Sequence, residues 1–190
     1  MGTAISGLAA VIFLALMFGF GSSSLRATFG TLNDLFNAVL ALAGVAVLWL
    51  LFTRFRSSLG PLHVALLALA VIGALVAVWG SVLVMSGRTG FMLAGFYTGA
   101  GFALIGLLMA ALSFTPRGNA LPAGLATFGI VTGLLMALGL AGVPGILRSI
   151  DAWDGLPMTL TTLWGIGWMA TLLIQPVWFY LLAKWAFTKA

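Results

Sequence analysis

Long apolar stretches alternate with short polar connections along the whole chain. Residues 3–20, 32–52, 62–85, 91–114, 125–143 and 158–182 each form one nearly continuous apolar run. As helices rising 1.5 Å per residue they reach about 27 to 38 Å, enough to cross a hydrocarbon core. None shows the ten-residue alternation of a membrane barrel. The pattern predicts an all-α integral membrane bundle of six transmembrane helices, folded as a single domain over residues 1–190.

The connections carry stop and turn signals. GSSSLRATFGT fills 21–31, and Arg54, Arg56 and Gly60-Pro61 close the second run. SGRTG follows Met85, TPRGNALPAG follows Phe114, and PGILRSIDAWDGLP joins the last two runs. Gly and Pro at these places punctuate helices. Thr31, with Asp34 three residues on, reads as a helix N-cap followed by an acid in the first turn.

Composition agrees with the pattern: 63% of residues are hydrophobic and 6% charged. Soluble domains carry about 25% charged residues. The net charge is +5, but the eight Lys and Arg residues are scattered, so no nucleic-acid partner is expected and the bilayer is the surrounding medium. Sorted by side, Arg54, Arg56, Arg117, Lys184 and Lys189 fall on one face with no acid. Arg26, Arg88 and Arg148 fall on the other with Asp34, Asp151 and Asp154. The positive-inside rule then puts both termini in the cytoplasm. The N-terminal run lacks a basic n-region and an A-x-A site, so it reads as a span rather than a cleaved signal.

Candidate chemistry is sparse. Cysteine is absent, there is one His, and the three acids are all Asp. No metal site and no cofactor are expected, because such sites draw on several His, Cys or carboxylate ligands. No HExxH, phosphate loop or nucleophile elbow occurs, so no catalytic residues are assigned. The polar exception is the start of the second run, where Asn33, Asp34 and Asn37 form a wedge; Asp34 is the one acid within an apolar run. An ionisable group at membrane depth marks a candidate site. The wedge is a ligand-binding candidate, with Tyr97 and Thr98 and Thr159, Thr161 and Thr162 at the same side, and Arg26, Arg88 and Arg148 at the mouth. Inter-helix hydrogen bonding explains the wedge equally well without a ligand, and the charges serve equally as a rim of surface ion pairs.

Gly95-x-x-x-Gly99 and Gly129-x-x-x-Gly133 have the spacing of close helix contacts, within the bundle or between copies. In the last run, Gln175-Pro176 predicts a kink, with Gln175 bonding a freed carbonyl or lining a cavity. Trp178, Tyr180 and Trp185 with Lys184 suggest an interfacial belt. His63, after Gly60-Pro61, reads as an interfacial polar residue.

FGTLNDLFNAV, TGFMLAGFYTGAGFALIGL, GLAGVPGIL and IGWMATLLIQPVW together give the chain a resemblance to a family of bacterial six-helix integral membrane proteins of unknown function. The resemblance implies a multi-pass protein of the bacterial cytoplasmic membrane and implies no activity or site. Two functions fit the sequence. One is a non-enzymatic protein that binds or transports a small molecule or lipid through an outward-facing cavity. The other is a structural or accessory subunit that packs as a homo-oligomer or against a membrane partner. An intramembrane enzyme fits less well, since the one acid and one His within the runs lie on opposite sides.

Overall fold

The computed structural model describes residues 5–9, 12, 16, 23–114 and 121–188, with the side chains of residues 23, 24, 26 and 27 outside the description. The described residues are all helix, turn and connection, and five helices are long and apolar enough to cross a membrane. Helix α1 is Ser23–Phe55, α2 is Pro61–Met85 and α3 is Phe91–Ser113. Helix α4 covers Ala123–Leu147, with a 3-10 stretch at Leu138–Gly142. Helix α5 covers Met158–Phe187, with a π stretch at Ala170–Ile174. The expected first span, 3–20, lies largely outside the described residues; those of 5–9 are helical.

Helix α1 starts at Ser23, well before the expected start at residue 32. The connection holds no proline, and Gly30 costs a helix only about 1 kcal/mol. Thr31 is therefore no N-cap, and Asp34 lies far beyond the first turn, where the helix dipole acts. The dipole does not account for Asp34.

Helix α3 is the centre of the bundle: 78% of its most apolar window is buried, against 33–50% for the other four helices. Small residues allow this enclosure. A Cβ added at Gly73 of α2 would strike the Gly101 carbonyl of α3, and one at Gly101 would strike the Gly73 carbonyl. Gly106 of α3 and Gly133 of α4 stand in the same reciprocal relation, and Gly139 of α4 meets the Gly99 carbonyl. Between apolar helices in lipid, such close packing replaces the hydrophobic drive. Both GxxxG steps are thus used within the bundle, Gly95 and Gly99 facing Trp164, and Gly129 facing Ser113 and Trp178.

The chain direction alternates, so α1, α3 and α5 begin at one end of the bundle. That end also holds the α2–α3 turn and the α4–α5 connection. The turn closes on Gly87 at φ 68°, where the Arg88 N–H reaches the Leu83 carbonyl at 2.9 Å. This left-handed helix stop suits glycine.

Candidate functional site at the seam of the first and last helices

The buried stripe of α1 fixes where the polar wedge points. Asn33, Asn37 and Gly44 are separated by four and seven residues, which places them within an arc of about 40° on one helix face. Asn33 is 1% exposed and Asn37 is 2% exposed. Further along the same face, a Cβ at Gly44 would lie 3.5 Å from Gln175 Nε2 and 3.5 Å from the Phe179 ring of α5. The stripe that carries the asparagines therefore opposes the Gln175 step of α5. From Asn33 to the level of Gly44 is about 16 Å along the axis.

Pro176 explains the shape of α5 at that level. It has no N–H and its ring crowds the carbonyl four residues back, so the α-helical ladder cannot pass it. The helix answers with the π stretch Ala170–Ile174, which ends at Gln175. Such bulges recur at functional sites. Gln175 is wholly buried, and among the described residues neither Nε2 nor Oε1 has a hydrogen-bond partner. It does not bond a freed carbonyl. The Asn33 and Asn37 Oδ1 atoms are also unpartnered among the described residues, while Asn33 Nδ2 donates to Asp34 Oδ1 at 3.4 Å. From the other side, Gly7 packs against the Pro176 ring, with Ser6 buried beside it. Three segments thus meet at Gln175-Pro176, and two of them present glycine.

A buried, unpartnered amide is costly, about 1–3 kcal/mol for the lost hydrogen bonds. Gln175 is such an amide, and Asn33 and Asn37 each leave an unpartnered acceptor on the buried face of α1. These side chains are neutral, Gln175 offering both donor and acceptor and the asparagines an acceptor each, which suits a neutral hydrogen-bonding group.

The other predicted residues lie elsewhere. Tyr97 packs its Cβ against Gly80 of α2, 2.7 Å from where a Cβ there would sit. Thr98 Oγ1 donates to the Ala94 carbonyl at 2.9 Å, a bond within its own helix. Thr161 Oγ1 likewise donates to the Pro157 carbonyl at 3.4 Å, and Thr159 and Thr162 are exposed on the first turns of α5. Arg88 and Arg148 are exposed, and the side chain of Arg26 lies outside the described residues.

Asp151 contacts α3. Its carboxylate accepts from the Gly90 N–H and, at 3.1 Å, from the Leu93 N–H, capping a helix whose own N-cap residue is glycine. Asp151→Ala is expected to cost about 1 kcal/mol, the usual worth of an N-cap. Hydrogen exchange checks it: amides 90–93 should exchange faster, while the middle of α3 stays protected.

The sequence reading also missed what fills this end of the bundle. Trp164 is 2% exposed and donates its Nε1–H to the Gly95 carbonyl at 3.1 Å. Phe96 meets its ring edge-on at 5.1 Å, and Trp168 stacks on it at 5.9 Å. Trp153 and Leu156 bring the long α4–α5 connection down onto the same cluster. Two cavities among the described residues lie at the opposite end, on either side of Trp185. The signal for Trp164 was present as Gly95 and Gly99, which make the room it occupies.

Searches against protein-family models, curated proteins and solved structures give no match for this chain, so the seam stands on its own geometry.

Proposed function

We propose that this chain is a non-enzymatic, six-span integral membrane protein that binds or passes a small molecule or lipid bearing a neutral hydrogen-bonding group. The α1–α5 seam receives it, with Asn33, Asn37 and Gln175 as the polar contacts and Asp34 beside the first of them. Both termini lie on the cytoplasmic side of a bacterial inner membrane. The apolar run at 3–20 supports the sixth span, and five basic residues against three support the orientation. The reading is carried by Gln175: wholly buried, unpartnered at both amide atoms among the described residues, and placed at the π stretch before a proline. Both GxxxG steps being spent inside the bundle weighs against a structural-subunit role.

Native mass spectrometry and thermal melting of Gln175→Leu test the reading together. A residue kept for a ligand is a burden to the empty fold. The variant is therefore expected to melt higher, by up to about 1–3 kcal/mol, and to lose a defined mass that the unaltered protein retains from gentle detergent. A variant that melts lower and keeps the same bound mass would make Gln175 a packing residue and end the proposal.

A further inference from the structure

The ends of α1 and α5 farthest from the Trp164 cluster do not close on each other. Between them lies a cleft of about 210 Å³, walled by Val47, Leu51, Phe179 and Leu182, with Arg54 and Trp185 at its mouth. That exceeds the ~150 Å³ apolar cavity known to hold benzene. The Arg54 guanidinium sits 5.8 Å from the centroid of the Trp185 ring, which pins its charge at the mouth. On the other side of Trp185 a second groove of about 350 Å³ runs along Leu125, Phe128 and Leu181, with Lys184 at its edge.

No acidic side chain of the sequence lies at this end. Every acid of the protein is an aspartate at position 34, 151 or 154. Asp34 precedes Arg54 by twenty residues of unbroken helix, about 30 Å along the axis. Asp151 and Asp154 lie in the α4–α5 connection, at the far end of the bundle. Arg54 and Lys184 thus stand at the edges of two apolar clefts, away from every acidic side chain of the sequence.

We infer that this end is a binding site for an anionic phospholipid. Its phosphate meets Arg54, whose planar fork suits phosphate oxygens, with Lys184 across the Trp185 ring. An acyl chain lies in the α1–α5 cleft, and a second in the groove beyond Trp185. Basic pockets between transmembrane helices bind anionic head groups by this chemistry. The inference is independent of the Gln175 reading, since it uses other residues and another class of contact.

The test is native mass spectrometry of the full chain in mild detergent, titrated with phosphatidylglycerol or with phosphatidylcholine of the same acyl chains. The unaltered protein is expected to retain phosphatidylglycerol at about tenfold lower concentration, a ratio equivalent to one strong charged contact. Arg54→Gln should bring the two lipids to parity. Arg56→Gln should leave the preference in place, because Arg56 carries the same charge but does not line the cleft. Both side chains are exposed, so neither change threatens the fold. Water-soluble glycerophosphoglycerol should fail to displace the lipid. Equal retention of both lipids by the unaltered protein would overturn the inference. So would equal losses in the two arginine variants, which would indicate diffuse attraction, or displacement by the soluble head group, which would indicate a plain phosphate site.

Discussion

Gly101→Leu is expected to prevent the bundle from assembling. A Cβ at this position would meet the Gly73 carbonyl, with the Ala77 nitrogen at 2.7 Å and the Ala77 Cβ at 2.8 Å. Two of those atoms belong to the backbone of α2 and cannot rotate away as a side chain would. The helices must separate, and separation is expensive here. Lipid tails are as apolar as the helix faces, so dispersion between closely packed atoms is what holds α2 to α3. A gap of 0.5–1 Å already forfeits a quarter to a half of each contact. The expected loss is about 3 kcal/mol or more, at the top of the range for overpacking. Thermal melting in detergent and size-exclusion profiles should show little folded monomer. Gly124→Leu is the control: a Cβ there meets nothing within 4 Å, and its melting point should stay within a few degrees of the parent. Equal melting of both variants would mean that α2 and α3 are not in backbone contact.

The same physics decides what the sequence could reveal. Helix existence was legible because span length is set by the bilayer, and the stops are local: Gly60-Pro61 opens α2, and Ser86-Gly87 closes it. The start of α1 was not legible, because polar residues of 23–31 mark a change of medium and not a change of backbone. Rotational setting was harder still. In a water-soluble helix the apolar stripe points inward, but in a bilayer both directions are apolar and the stripe vanishes. The facing of Asn33 and Asn37 could be read, since polar side chains avoid lipid. That their face leads to Gln175, about 140 residues away in the chain, depends on how α1 and α5 are turned toward each other, and Gly44 is the visible mark of it. Asp151 was legible as an acid but not as a cap, because its partners are backbone N–H groups 58 and 61 residues distant. Arg54 read as a stop signal, and its pairing with Trp185 emerges only once both helix ends are placed side by side.

Trp164→Ala is expected to open the end of the bundle that the sequence assigned to the mouth of an outward-facing cavity. The indole fills space bounded by Gly95, Gly99 and Gly142, and its ring is the hub of contacts to Phe96, Trp153 and Trp168. Truncation removes the hub, and the glycines around it have no side chains with which to fill the gap. Large aromatic truncations in soluble cores cost about 3–5 kcal/mol, of which part is transfer from water. In lipid that part falls away and the cavity part remains, so about 3 kcal/mol is expected, with the Nε1–H bond to Gly95 adding about 0.6 kcal/mol. The damage should also be local. Leu156 and Trp153 hold the α4–α5 connection to this cluster, so hydrogen exchange in 150–157 should rise more than in the paired α2–α3 glycines. Indole added from solution should recover part of the lost melting temperature, as an apolar cavity of the right shape takes up an aromatic guest. If Trp164→Ala melts like the parent and the connection stays protected, the aromatic cluster is surface decoration. If it melts lower and indole restores it, this end of the protein is a filled plug.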